Sequence, residues 1–167
     1  PKQTIHEAID EFIADKRRIG LRTTSINGYN YTFGRFKDHF GPKQISSITL
    51  KQINQWLDQM RLTFQWSATS QICAITRVRV LFSWCVNNGY CRENPATRIE
   101  KPKLEYQPPG ILTVDQTREL LATTQEIDSE MLTYVALAVF AGVRPQEILR
   151  LEPSNLIELP KLVQCIR

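Results

Sequence analysis

The sequence predicts a mainly α-helical protein with two parts, a four-helix bundle and a second, mostly helical segment. Apolar residues recur at the helical spacings of three and four over most of the chain. A helix-capping signature, Ser or Thr followed three residues later by Glu or Gln, stands before several of these stretches. No convincing strand pattern occurs before residue 100, and 167 residues suffice for one sizeable core or for a small domain plus part of another.

The first two helices are indicated by their start and stop signals. A capping box at Thr4-x-x-Glu7 precedes the first helix, which should end near Arg18. We expect Thr23 or Thr24 to cap the second helix, which ends before Gly41-Pro42. The apolar face predicted for the second helix consists of Ile26, Tyr29, Phe33, Phe36 and Phe40.

The third and fourth helices complete the predicted bundle. Thr49-x-x-Gln52 opens the third helix, in which Trp56 is expected at the edge of the apolar face. The residues predicted to face inward are Leu50, Ile53, Leu57 and Met60. Ser67 is predicted to cap a longer fourth helix that ends at Asn87-Asn88-Gly89. Four amphipathic helices joined by short loops favour a compact bundle.

A domain boundary is predicted after the bundle. Glu93-Asn94-Pro95-Ala96 is typical of a turn, and the proline-rich residues 101–111 indicate an extended linker. The predicted domains are therefore residues 1–100 and residues 112–167, joined by that linker.

The second part repeats the same helix signals. Thr113-x-x-Gln116 is a capping box for a helix that should reach about Thr123. Asp128 is expected to cap a buried apolar helix, Met131 to Ala141. The stretch Leu162 to Ile166 alternates weakly, which predicts the start of a β-strand without a partner in the sequence. We therefore expect this domain to be cut short.

Composition excludes several classes of protein. Hydrophobic residues at 42% and charged residues at 23% are ordinary for a soluble globular protein. No apolar run is long enough to span a membrane and no signal peptide is recognised, so the chain is expected to be cytoplasmic. The four cysteines lack metal-ligand spacing, which predicts free, buried thiols and no metal site. His6 and His39 begin no catalytic motif.

Charge is distributed unevenly along the chain. Residues 1–103 hold 16 Lys and Arg against 8 Asp and Glu, whereas residues 104–167 hold 5 against 9. A basic N-terminal half is typical of a nucleic-acid partner, although many basic domains bind none.

The stretch Ala141 to Leu151 is the first candidate site. Gly142 can end the apolar helix with a positive φ, and Pro145 can occupy the first turn of the next helix. Arg144 should therefore lie in the break, where a guanidinium beside free helix N–H groups is a good phosphate ligand. The alternative is that Arg144 is a solvated loop residue. Glu147 would share its face and orient Arg144 or a nearby backbone group, or simply be exposed.

This order of motifs resembles the tyrosine recombinases, also called phage-type integrases. Gly142, Arg144, Glu147 and Leu151 match the Gly-x-Arg-x-x-Glu-x-x-x-Leu pattern of the first catalytic-arginine box of that family. The other matching features, in chain order, are Thr24 and Tyr29 with Phe33, Phe36 and Phe40; Ser47-Ile48-Thr49; Ser67-Ala68-Thr69; Arg79 to Trp84; Gly89-Tyr90; Glu93 to Ala96; Lys101-Pro102-Lys103; Leu112-Thr113; and Leu120-Leu121.

The resemblance implies both a fold and a chemistry. Residues 1–100 would be a SAM-like core-binding domain on double-stranded DNA, and residues 112–167 the start of the catalytic domain. In this family a tyrosine hydroxyl attacks the scissile phosphate without a metal or nucleotide cofactor, and a phosphotyrosyl intermediate forms. Arg144 would stabilise the charge on the phosphate oxygens. Full-length members assemble on DNA as tetramers.

The sequence departs from the family pattern downstream of this box. The β-hairpin lysine, the His-x-x-Arg pair and the late nucleophilic tyrosine have no counterparts in these 167 residues. We therefore expect this chain to be unable to cleave or join DNA alone. The alternatives to a recombinase portion are a non-catalytic DNA-binding or regulatory remnant of an integrase and a helical protein-interaction module that uses no DNA.

By analogy with the family, the second and fourth helices should face the DNA. The DNA-contact candidates are Arg22, Thr23, Thr24, Ser67, Thr69, Arg77, Lys101 and Lys103. For the Ser and Thr residues ordinary helix capping is an alternative that can coexist with phosphate binding, and Arg77 could be a solvated helix residue.

Overall fold

Residues 3–105 and 108–151 are described by this computed structural model, and apart from one isolated β-bridge their regular structure is helical. The α-helices are α1 (Ile5–Arg18), α2 (Thr23–Phe40), α3 (Leu50–Phe64), α4 (Ala68–Asn87), α5 (Val114–Ile127), α6 (Met131–Ala141) and α7 (Pro145–Ile148), and 3-10 helices span Ile45–Ser47 and Pro95–Arg98. The chain divides into two compact units between residues 106 and 107. The mainly helical fold class is thereby confirmed.

Helix α1 begins with the capping box that the sequence predicts. The Thr4 hydroxyl accepts a hydrogen bond from the Glu7 N–H at 3.2 Å, and the Glu7 carboxylate accepts one from the Thr4 N–H at 2.9 Å. The backbone and hydroxyl hydrogen bonds from Thr4 lower the pKa of Glu7. The helix ends at Arg18, as predicted.

The start of the chain is tied to the connection between α2 and α3. The Ile5 N–H donates to the Lys43 carbonyl at 2.9 Å, and the Ile45 N–H donates to the Gln3 carbonyl at 3.0 Å. These bonds surround the antiparallel bridge between Thr4 and Gln44. They anchor the residues that precede α1.

Helix α2 starts differently from the prediction. Thr23 and Thr24 are not caps, because they already belong to the first helical turn. The extended residue before the helix is Arg22, whose carbonyl accepts from the N–H groups of Ser25 at 2.9 Å and Ile26 at 3.1 Å. Helical hydrogen bonding therefore begins one residue earlier than a threonine cap allows.

Helices α1 to α4 and the two 3-10 helices bury one core. Its centre is aromatic: the Phe36 ring lies 5.1 Å from Trp56 and 6.3 Å from Phe82, centroid to centroid. The prediction that Trp56 lies at the edge of the α3 face is wrong, since Trp56 is fully buried between Phe36 and Trp66. Such edge-to-face contacts add to the free energy gained from burial.

Two polar contacts join α1 to the end of α4. The Trp84 indole donates to the Asp15 carboxylate at 3.2 Å, and the Tyr90 hydroxyl donates to Glu11 at 2.5 Å. Hydrogen bonds from Arg18 and then Trp84 lower the pKa of Asp15, whereas the bond to Glu11 raises the pKa of Tyr90.

The ends of α4 agree with the sequence. Ser67 caps the helix by accepting from the Ser70 N–H at 3.2 Å, and the helix ends at Asn87 before Gly89, whose φ is +74°. The predicted turn at residues 93–96 leads into the 3-10 helix Pro95–Arg98.

In the second unit the capping box of Thr113 and Gln116 opens α5, as predicted. The helix continues to Ile127 instead of ending near Thr123, because no helix-breaking residue occurs before Asp128. The residue directly before α6 is Glu130 and not the predicted cap Asp128. The Asp128 carboxylate instead accepts from the N–H groups of Glu130 and Met131 at 3.1 and 3.3 Å, across the turn that leads into α6.

Helix α6 is not buried among the described residues, contrary to the prediction. None of its side chains is buried, and Phe140 is 71% exposed. Its neighbours within residues 108–151 are α5 and α7, which cover it only in part. In this range Ile148 alone is buried.

The strand predicted at Leu162 to Ile166 lies outside the described residues. Within the described ranges, no helix combines the length and hydropathy that crossing a membrane requires.

Candidate nucleic-acid interface

Arg144 lies between two helices, as the glycine and proline around it predict. Gly142 ends α6 in the left-handed conformation, with φ +62°, and Pro145 is the first residue of α7. Arg144 itself is extended, with φ −66° and ψ 145°. In this break 83% of the Arg144 side chain is exposed.

Glu147 contacts Arg144 through both carboxylate oxygens. Oε2 accepts from the Arg144 backbone N–H at 3.1 Å, and Oε1 accepts from Nη1 at 3.3 Å. An exposed ion pair of this kind contributes little to stability, about 0–1 kcal/mol. Its clearer effect is to restrict the orientation of a guanidinium that keeps most of its surface free for an anion.

Three candidates cluster at the start of α2. Arg22, Thr23 and Thr24 are exposed in consecutive positions. Because Arg22 makes no side-chain cap and the threonines do not cap the helix, these side chains are available to a phosphate.

The hydroxyl groups of Ser67 and Thr69 at the start of α4 differ in their hydrogen bonding. Ser67 is exposed, yet its Oγ accepts from the Ser70 N–H and lies 3.1 Å from the Ser70 hydroxyl. Thr69 is exposed in the first turn. Ser67 therefore has a structural role, while Thr69 presents its hydroxyl to solvent.

Arg77 is not a fully solvated residue. Its Nη1 donates to the Thr32 hydroxyl at 2.9 Å, and the Thr32 hydroxyl donates to the Gly28 carbonyl at 3.2 Å. A Cβ atom at Gly28 would lie 2.5 Å from Nη2 of Arg77, so the glycine gives the guanidinium space against α2. Arg77 thereby links α4 to the helix that carries the Arg22 cluster.

Lys101 and Lys103 are exposed in the segment that follows the bundle. Arg79, which was not among the candidates, fixes the start of that segment: its Nε donates to the Ala96 carbonyl at 3.0 Å and its Nη2 donates to the Ile99 carbonyl. Asn94 adds a bond from Nδ2 to the Arg79 carbonyl at 2.9 Å. The sequence carried no local signal for these contacts, since the partners are 15 to 20 residues apart.

A second arginine outside the candidates lies against aromatic rings. The Arg35 guanidinium carbon is 3.7 Å from the Tyr31 ring centroid and 4.5 Å from that of Phe64. The spacing of four residues between Tyr31 and Arg35 could have indicated this pair. Arg35 therefore contributes to packing between α2 and the end of α3.

The part of the chain that the structure describes holds no group of three or more His, Cys, Asp or Glu arranged for a metal ion. The candidate residues are cations and hydroxyls, which suit phosphate groups.

Comparison with known sequences identifies relatives that are tyrosine recombinases. The chain is 24% identical over 163 residues to a tyrosine recombinase of Thermosipho africanus, covering 95% of this chain and 56% of that protein. It is 29% identical over 161 residues to the tyrosine recombinase XerD of Staphylococcus epidermidis, covering 92% and 54%. The chain thus spans about half the length of these relatives. No family model matches it.

Solved structures share the fold at low sequence identity. A lambda integrase dimer bound to a COC′ core site superimposes with a TM-score of 0.80 at 16% identity, over 93% of this chain and 56% of that chain. The Tn1549 transposon integrase in complex with a circular intermediate DNA superimposes with a TM-score of 0.76 at 16% identity, over 93% of this chain and 50% of that chain.

Proposed function

We propose, from the similarity to tyrosine recombinases, that this chain is the DNA-binding portion of a tyrosine recombinase or integrase, an enzyme that integrates or recombines DNA at specific sites. The observation that carries the proposal is similarity over more than nine-tenths of the chain, a span that includes the Arg144 box. The reaction would proceed through a phosphotyrosyl intermediate. In the same proposal, residues 1–100 are the SAM-like core-binding domain, residues 101–111 the linker and residues 112–167 the start of the catalytic domain.

Double-stranded DNA is the proposed partner of the first unit. The excess of basic residues before residue 104 supports an electrostatic grip on phosphates. Arg22, Thr23 and Thr24 would contact the backbone at the start of α2, and Thr69 with Ser67 would do so at the start of α4. Lys101 and Lys103 would add phosphate contacts beyond the bundle. One N–H group of Arg77 donates to the Thr32 hydroxyl, and the guanidinium has further N–H groups. These would bind a phosphate between α2 and α4.

Arg144 is proposed to stabilise the reacting phosphate. The guanidinium donates in a fork that fits two non-bridging oxygens, on which negative charge accumulates in the transition state. Glu147 would hold the guanidinium and the adjacent backbone in position without touching the substrate, and the two hydrogen bonds to Arg144 support this role.

Binding is tested by the fluorescence anisotropy of a labelled duplex at several salt concentrations. We expect the affinity to fall steeply as the salt concentration rises. Lys and Arg side chains that bind phosphates release counterions from the DNA, and this release is less favourable at high salt. Lys101→Gln and Lys103→Gln should each weaken binding and lower the slope of log affinity against log salt by about 1. Lys51→Gln, an exposed lysine on α3, is the matched control and should have no effect. Absent or salt-independent binding would contradict the proposal.

Chemistry is tested in a chimera that joins this chain to the remaining part of a related recombinase. A suicide DNA substrate should trap a covalent adduct, and Arg144→Ala should slow adduct formation by about 10² to 10³. Arg118→Ala is the control, since Arg118 is an exposed arginine of α5 paired with Asp115. Equal rates for the Arg144 and Arg118 variants would refute the role of Arg144. DNA binding without any adduct would favour a non-catalytic DNA-binding function.

A further inference from the structure

Three of the four cysteines lie in the described residues, and they differ in exposure. Cys73 is exposed, which contradicts the expectation that all the thiols are buried; Cys85 is fully buried, and Cys91 is half-buried. Cys165 lies outside the described residues. Cys85 and Cys91 are close in the fold as well as in sequence.

A tight turn brings Cys91 back onto the end of α4. The chain reverses at Gly89, and the Cys85 carbonyl then accepts hydrogen bonds from the N–H groups of Tyr90 at 2.8 Å and Cys91 at 3.4 Å. Each thiol is close enough to shift the pKa of the other. The backbone therefore holds the two cysteines side by side at the end of α4.

The two thiols differ in access and in acidity. Cys91 lines a surface cavity of about 650 Å³ between residues 45–50 and 89–95, whereas Cys85 lies behind it in the core. The hydrogen bond from Cys85 lowers the pKa of Cys91, which increases its thiolate fraction. The same hydrogen bond, burial, and the negative charges of Cys91 and Glu11 raise the pKa of Cys85. A small oxidant in the cavity meets the more reactive thiol first.

We propose that Cys85 and Cys91 form a reversible oxidation site, at which a hydroperoxide converts the two thiols into a disulfide. The Cys91 thiolate attacks hydrogen peroxide, so that an S–O bond forms, the O–O bond breaks and hydroxide leaves. The Cys85 sulfur then attacks the sulfenic sulfur of Cys91; the S–S bond forms, the S–O bond breaks, and the departing hydroxide takes the Cys85 proton as water. In total two thiols are oxidised and one peroxide is reduced to two waters.

The disulfide would close residues 85–91 into a ring at the end of α4. This ring includes Gly89 and Tyr90, whose hydroxyl donates to Glu11 on α1. Oxidation would therefore fix the turn that supports the contact between α1 and α4. The inference is independent of DNA binding.

The test uses the full chain treated with a small excess of hydrogen peroxide, blocked with N-ethylmaleimide and digested with trypsin without reduction. Cleavage after Arg79 and Arg92 leaves both cysteines in one peptide, residues 80–92, and Cys73 in another. We expect peptide 80–92 to lack two hydrogens and carry no maleimide, and to take up two maleimides once dithiothreitol is added before blocking. Cys73 should remain blocked as a free thiol.

Two comparisons make the result decisive. In Cys91→Ser, whose fold is checked by circular dichroism, Cys85 should remain reduced and take up maleimide after unfolding. Oxidation of the wild-type chain should be at least about tenfold slower in urea, because unfolding separates the thiols and exposes them equally. Two blocked thiols in peptide 80–92 after peroxide, a disulfide joining Cys73 to Cys91, irreversible sulfinic acid at Cys91, or equal rates in the folded and unfolded chain would each overturn the proposal.

Discussion

The two units of this protein bury the apolar side chains of their helices to very different extents. Residues 3–105 enclose 24 buried hydrophobic residues in one core, whereas residues 108–151 bury Ile148 alone. In the first unit α1 to α4 all contribute buried side chains to that core, while α6 is covered only in part by α5 and α7. The difference teaches that an apolar sequence predicts a helix that can be buried, but packing partners decide whether it is. Stability should therefore be concentrated in the first unit.

The largest expected effect is a cavity in the first core. Phe36→Ala should lower the free energy of unfolding by about 3–5 kcal/mol, because Phe36 is fully buried against Trp56 and Phe82. Phe140→Ala, in the exposed face of α6, should change it by less than about 0.5 kcal/mol. Urea unfolding monitored by circular dichroism measures both. A comparable loss in the Phe140 variant would break the comparison between the units.

A second test compares two arginines. Arg79→Met removes two donors from the carbonyls of Ala96 and Ile99 and should cost about 2–3 kcal/mol. Arg118→Met removes only an exposed pair with Asp115 and should cost less than about 0.5 kcal/mol. Hydrogen exchange should also accelerate at residues 96–99 in the Arg79 variant. Unchanged exchange there would show that Arg79 does not anchor the end of the bundle.

A third prediction concerns acid. The pKa of Glu7 is lowered from its ordinary value of 4.5, so its carboxylate stabilises the folded state above that pH, and this contribution is lost as the pH falls through the lowered pKa. Unfolding free energies measured from about pH 6 to about pH 3 should decrease toward acid. In Glu7→Gln the decrease should be shallower, because Gln preserves the cap without a charge. A slope should remain from Asp15, whose pKa is lowered in the same sense.

In the second unit the matching capping residue is already uncharged. Gln116 accepts from the Thr113 N–H at 2.9 Å, so Gln116→Glu should introduce an acid-dependent contribution to the stability of α5 that the native residue lacks. An unchanged pH profile in both the Glu7 and Gln116 variants would contradict this account of the caps.

The smallest expected effects concern backbone conformation. Gln65 follows α3 with φ +49°, a left-handed conformation that costs a non-glycine residue about 1–2 kcal/mol. Gln65→Gly should therefore stabilise the first unit by less than about 1 kcal/mol, because glycine loses part of this gain through chain entropy. Gly142→Ala, with φ +62° and open space at the Cβ position, should destabilise the α6–α7 junction by about 1 kcal/mol. In thermal unfolding, Gln65→Gly should raise the stability and Gly142→Ala should lower it. A change of the same sign in both variants would contradict the strain at Gln65.

Features set within four residues were predictable from the sequence. Thr4 with Glu7, Thr49 with Gln52 and Thr113 with Gln116 form the expected boxes, because both partners lie in a single helical turn. The break at Arg144 and its contact with Glu147 follow from the same local geometry. The start of α2 was missed because threonine suits the first helical turn as well as a cap.

Features that depend on distant partners were not predictable. From its spacing in α3, Trp56 could lie at the edge or at the centre of the apolar face. The contacts with Phe36 and Trp66 determine that it lies at the centre. Arg77 meets Thr32 across 45 residues of sequence, so no pattern on α4 alone could have separated it from a solvated arginine. The DNA-contact residues remain predictions, since their proposed partner is a different molecule.

The two hydrogen bonds that join Gln3 to Ile45 and Ile5 to Lys43 have a mechanical consequence. A force applied at Gln3 meets the bond from Ile45 and then the bond made by Ile5, the first residue of α1, so the connection between α2 and α3 shares the load at the start of this helix. Extraction of α1 from the core would begin only after both bonds yield. A bead or surface attached through Gln3 would thus be held by two separate parts of the chain, which makes Gln3 a stiff attachment point for single-molecule experiments.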